Sequence, residues 1–248
     1  MSFSGNSPFQ NMPPVVKNLI IINAIMLLAT FVLGSTKGID LNRIFGLFYF
    51  ESPLFKPFQL ITHMFMHGGI AHLFFNMFAL FMFGRVLEQV WGSKRFFIYY
   101  FFTGLGAAIL HSFVNYIEAQ SIMSSLLPEQ IALVKSEGTA IFMQGKNYAH
   151  GGMAALNALY NIPTVGASGA VFGVLLAFGM YFPNTQLMLL FPPIPIKAKY
   201  FVIGYGLIEL YLGFTQSNSN VAHFAHLGGM LFGFILIKIW QKQKNKFY

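Results

Sequence analysis

No cysteine occurs among the 248 residues, which excludes disulfides, thiolate metal sites and thiol nucleophiles. Aspartate is nearly as scarce. Asp40 is the only one, so a membrane aspartyl protease, which needs two, is excluded. Seven histidines are present, but none begins a His-Glu-x-x-His zinc motif, because Met64, Gly68, Leu73, Ser112, Gly151, Phe224 and Leu227 follow them. Zinc held by His63, His67 and His72 would lack a carboxylate or thiolate partner, and no metal or other cofactor is expected. Charge is also scarce, at 9% of residues against about 25% in a typical soluble domain. No internal repeat is evident, which weighs against inverted-repeat transporter folds.

What fills the chain instead is apolar: 56% of residues are hydrophobic. Charged side chains are absent from Asn18 to Thr36, Pro57 to Gly84, Phe96 to Ile117, Asn147 to Ile196 and Leu210 to Ile237. A spanning helix needs roughly 20 mostly apolar residues, and these gaps hold at least five. A sixth, near Tyr200 to Thr215, is interrupted only by Glu209. The sequence therefore predicts an all-α membrane protein with six spans, at about 16–34, 60–84, 95–116, 165–182, 198–215 and 222–240. The first is expected to be an uncleaved helix, since its apolar run is too long for a signal-peptide core.

The net charge of +8 is placed asymmetrically. With the N-terminus in the cytoplasm, ten Lys and Arg fall on inner segments and five on outer loops. Both termini are then cytoplasmic, and the basic tail is a membrane-surface anchor; nucleic acid is not the expected partner. The organisation is an N-terminal tail (1–15), a membrane domain (16–241) and a basic tail (242–248). Two long outer loops stand out. Ser35 to Pro57 is rich in aromatics and should lie in the interface. Glu118 to Pro163 has room for a short surface helix. The run Pro192-Pro193-Ile194-Pro195 must break any helix there.

One serine sits in an unusual setting. Gly166-Ala167-Ser168-Gly169 opens the fourth span, and Gly169 with Gly173 forms a small-residue face that lets another helix approach. In the sixth span His226, Gly229 and Gly233 share one face at i, i+3 and i+7. Packing these glycine faces together would bring Ser168 and His226 within reach, and a neutral imidazole can then take the serine proton. On the second span His72 and Asn76 lie four residues apart on one face, where polar groups need a wet cavity or each other. Both could donate to a developing oxyanion beside the Ser168 backbone N–H. His63 and His67 precede that helix and are expected to tie the first outer loop.

These motifs, in this order, resemble the rhomboid family, and the resemblance spans nearly the whole chain. Gly166-Ala167-Ser168-Gly169 is similar to its Gly-x-Ser-Gly, Ala225-His226 with Gly229 and Gly233 to its Ala-His-x-x-Gly-x-x-x-Gly, and His72-x-x-x-Asn76 to its oxyanion pair. The resemblance implies a rhomboid-like helical bundle of the bacterial six-helix form, in the bacterial inner membrane. It also implies an intramembrane serine endopeptidase that cleaves transmembrane proteins near the outer surface with a Ser168–His226 dyad. Two departures are visible. Phe58-Gln59 stand where members often carry Trp-Arg, which changes the contacts between the first outer loop and the second span. Phe172 stands where some members place Tyr; it keeps a ring to pack on His226 but loses the hydroxyl.

A catalytically silent relative that binds membrane proteins would typically have lost Ser or His, and both are present. A channel or transporter would show paired membrane charges, whereas Glu209 is the only one. Glu209 is expected either to face the water-filled cavity or substrate gap, or to make a packing hydrogen bond.

Overall fold

In hydrocarbon a backbone polar group has no solvent partner, so apolar runs of this length must close their hydrogen bonds as helices. The computed structural model describes residues 12–188, 193–215 and 222–244. Most of the N-terminal tail, Pro192, the link 216–221 and the last four residues of the basic tail lie outside these.

Helix α1 (Pro14–Lys37) opens on two prolines that fit the first turn. Its free N–H groups meet a partner from far along the chain: the carboxylate of Glu88 accepts from Val15 N–H at 2.9 Å and Val16 N–H at 2.8 Å. A buried anion at a helix N-terminus satisfies both the orphan donors and the dipole. After α2 (Leu41–Phe45), capped by Asp40, the chain reaches α3 (Gln59–Thr62) and a 3-10 turn at His63–Phe65. The expected single helix over 60–84 is therefore corrected. The chain breaks over 66–69, where Gly68-Gly69 disfavour helix, and resumes as α4 (Ile70–Ala79), a π turn (Leu80–Gly84) and α5 (Arg85–Trp91) in one rod.

Helix α6 (Ser93–Ser124) overshoots its expected span. The loop beyond it is not a single short helix but a hairpin of α7 (Pro128–Met143) and α8 (Gly151–Asn161). That hairpin has its own small core, in which Leu126, Val134, Met153, Leu156 and Tyr160 gather around Ala119 and Tyr49. Helix α9 (Ser168–Tyr181) follows. A two-stranded antiparallel ribbon, β1 (Gln186–Met188) with β2 (Pro195–Lys197), pairs Leu187 with Ile196 and modifies the all-helical expectation. Helices α10 (Ala198–Thr215) and α11 (His223–Lys244) complete the described chain.

Four of these elements are long and apolar enough to cross a membrane: α1, the α4–α5 rod, α6 and α11. Helix α9 has 14 residues, about 21 Å at 1.5 Å per residue, and is buried on every side by α6, α10, α11 and the π turn. It is shorter than a bilayer's ~30 Å hydrocarbon core, so its first residue, Ser168, need not reach the surface. Trp91, Tyr99, Tyr181 and Trp240 cluster at the opposite end, with Arg95 over the Trp240 ring.

Gln59 resolves the altered loop contact. It is buried, and its carbonyl oxygen accepts from Lys56 N–H (3.0 Å) and Phe48 N–H (3.5 Å), while its amide donates to Ile44 O (3.2 Å) and Leu54 O (3.1 Å). One side chain thus fastens four points of the loop between α1 and α3. Gln59→Ala should cost roughly 2–4 kcal/mol, because several backbone groups lose their partner at once. The thermal unfolding midpoint in detergent checks this, and an unchanged midpoint would contradict it.

Candidate active site

Ser168 is the first residue of α9, so its N–H and the next two point out of the helix without intrahelical acceptors. The turn that delivers it depends on Gly166. This residue has φ +133°, a region that L side chains rarely adopt, and an added Cβ would lie 2.9 Å from the His72 ring. Gly166 N–H donates to His63 O at 2.9 Å, and the His63 ring bonds Gln59 O at 2.8 Å. Thr164 is held from the other side by the His111 ring, at 2.8 Å, and by the backbone of Leu47.

His226 Nε2 lies 2.8 Å from Ser168 Oγ. The approach is made possible at Gly229, where a Cβ would collide with the backbone of Gly169. This is the predicted contact of glycine faces at its outer turn. One turn deeper the faces part: Gly173 makes room for Thr103 and Gly233 for Tyr99, both on α6. Tyr99 Oη donates to Gly173 O at 2.8 Å. The seam is therefore a three-helix junction in which α6 wedges between α9 and α11. Phe172 stacks flat on the His226 imidazole, with centroids 4.1 Å apart and planes 3° from parallel, and restrains the ring's rotation.

His72 stands beside Gly166, near Ser168 Oγ. Gly68 N–H donates to His72 Nδ1 at 3.4 Å, so in the neutral ring Nε2 carries the hydrogen and faces the Gly166–Ser168 turn. Asn76 lies one turn beyond His72 on α4. It is buried, and its amide donates to His72 O at 2.9 Å, in its own helix. Among the described residues it makes no bond to Ser168. His67 is buried edge-on to His72 at 5.0 Å, and among the described residues neither of its ring nitrogens is bonded.

Behind His226 lies Glu209, which makes the hydrogen bond across helices that was one of its two expected roles, to partners the sequence did not name. Glu209 Oε2 is 2.9 Å from His226 Nδ1 and 2.7 Å from His223 Nδ1, and all three residues are buried. The signal was present as a lone membrane acid opposite a His-x-x-His pair, but sequence alone gives no azimuth for α10. These three are also the residues whose ligating atoms, all within 4.8 Å of one another, could hold a metal ion. Here those atoms hydrogen-bond to one another.

Spanning helices that enclose a serine and a histidine in contact define an integral membrane protein with a hydrolase-like site. The chain belongs to the rhomboid family, whose Rhomboid domain matches residues 55–243. The putative rhomboid protease YdcA of Bacillus subtilis is 26% identical over 77% of this chain and 70% of its own length. RHOMBOID-like protein 6, mitochondrial, of Arabidopsis thaliana is 30% identical, and the chain spans 73% of itself but 43% of that relative. Rhomboid protease GluP of Bacillus subtilis is 28% identical, with 71% of this chain matching 24% of that one.

Proposed function

We propose that this chain is an intramembrane serine endopeptidase in which Ser168 is the nucleophile and His226 the general base. The observation that carries the reading is the 2.8 Å contact between His226 Nε2 and Ser168 Oγ, at the N-terminus of α9. In the first step the serine proton passes to Nε2 as Oγ bonds to the scissile carbonyl carbon. The resulting oxyanion is stabilised by the Ser168 N–H at the α9 N-terminus and by His72 Nε2–H. The imidazolium then gives its proton to the leaving amine; water, deprotonated by the same ring, attacks the acyl carbon, and the ring returns that proton to Oγ as the Oγ–C bond breaks. The substrates are transmembrane proteins, cut near the outer surface. A fluorophosphonate tests this directly. The parent should be labelled at Ser168 and Ser168→Ala should not be; absence of labelling in the folded parent would favour a silent binding module.

The same reading carries the topology. The membrane domain is 16–241, crossed six times with α9 and α10 as the fourth and fifth spans. It lies between a cytoplasmic tail (1–15) and a basic cytoplasmic tail (242–248), in a bacterial inner membrane. Reporter fusions after Tyr248 and within the α7–α8 hairpin should report opposite sides. Same-side signals would overturn this topology.

A further inference from the structure

We infer that Glu209 is a positioning residue for the general base, which makes the catalytic unit a Ser168–His226–Glu209 relay with His223 as a second clamp on the carboxylate. The inference rests on the Ser–His reading above and adds a third group that a dyad does not require.

The argument is one of donors and acceptors. A single oxygen, Oε2, meets two imidazole Nδ1 atoms, at 2.9 Å from His226 and 2.7 Å from His223. An ionised carboxylate oxygen can accept from both N–H groups at once; a protonated one would donate to one ring and leave it with a bare Nδ1. With both nitrogens protonated, His226 Nε2 is bare and aimed at Ser168 Oγ, which is the tautomer a general base needs. During attack the proton moves from Oγ to Nε2, Nδ1–H stays on Glu209, and the carboxylate faces the imidazolium that forms. A charge at membrane depth is costly alone, and the two N–H donors together with burial explain how it is held. The neighbours fit this assignment. Phe172 stacks on His226 and packs tilted, at 5.0 Å, against Tyr205, one turn before Glu209 on α10, so the His226 ring is fixed from its face as well as from its edge. Among the described residues His223 Nε2 has no partner, and Nδ1 meets Glu209.

The test uses the full chain in detergent and a fluorophosphonate as probe. Glu209→Gln keeps the shape but can present an amide N–H₂ to Nδ1, which turns His226 to the unproductive tautomer. The maximal labelling rate of Ser168 should fall roughly 10²–10⁴-fold, with little change in the half-saturating probe concentration or melting temperature. His223→Gln, which leaves Glu209 on His226, should fall less. Should Glu209→Gln fail to fold, ¹⁵N-histidine spectra of the parent decide the matter, with the His226 signals assigned by their loss in His226→Ala. They should show the proton on Nδ1, and a proton on Nε2 in the resting enzyme would overturn the inference. So would parental labelling by Glu209→Gln. If Ser168→Ala or His226→Ala labelled like the parent, the Ser–His reading itself would fall.

Discussion

Ser168→Ala and His226→Ala should each reduce cleavage of a single-span substrate to background, a loss of roughly 10⁴-fold or more. Removing Oγ removes the only attacking atom in the site, and the chain holds no cysteine that could replace it. Removing the imidazole leaves a serine with no base. His223 is the only other histidine nearby on α11, and its Nδ1 is engaged by Glu209 at 2.7 Å. Because the two side chains act as one unit, the double variant should be no worse than either single one. A gel-based cleavage assay in proteoliposomes checks this, with melting temperature measured alongside to exclude unfolding. Substantial cleavage by either folded variant would remove the proposed chemistry from this site.

The parts of this site that were legible in the sequence are those in which residue type and spacing carry the physics. Ser168 and His226 are flanked by glycines at helical spacing, and Gly169 against Gly229 is the close backbone approach that such spacing permits. The limit appears one turn deeper. Gly173 and Gly233 look equivalent to that pair in sequence, yet Thr103 and Tyr99 of α6 fill them, because spacing along two helices says nothing of a third inserted between. Glu209 illustrates the same gap. Hydropathy placed it within an apolar run but left open which way it points, and only the packing of α10 on α9 and α11 turns it to His226. Gln59 was hidden for another reason. A neutral amide carries no charge signal, and its four bonds run to backbone groups of a loop whose path the sequence does not specify. Glu88 was similarly unreadable, since its partners, the N–H groups of Val15 and Val16, lie more than seventy residues away. The α7–α8 hairpin escaped because its apolar residues pack on Tyr49 and Ala119 from distant segments rather than forming one clear helical stripe.

His72→Ala should lower turnover by about 10²–10³, or roughly 3–4 kcal/mol of transition-state stabilisation, while leaving Ser168 reactive towards a fluorophosphonate. The distinction follows from where each donor sits. His72 is held by Gly68 N–H on Nδ1, which leaves Nε2–H beside Gly166 and the Ser168 turn, where an oxyanion would form. The Ser168 backbone N–H survives every side-chain change, so residual cleavage should remain measurable, and substrate affinity should change much less than turnover because the charge exists mainly in the transition state. Asn76→Ala is expected to behave differently from its neighbour. In the resting structure its amide donates to the backbone oxygen of His72, so its effect must either pass through the position of His72 or require the side chain to swing towards the substrate. A smaller loss than His72→Ala, reduced further when His72 is already alanine, would identify it as support for the histidine. An equal and independent loss would make it a direct second donor. If His72→Ala and Asn76→Ala both cleaved at the parental rate, the oxyanion would have to rest on the α9 N-terminus alone.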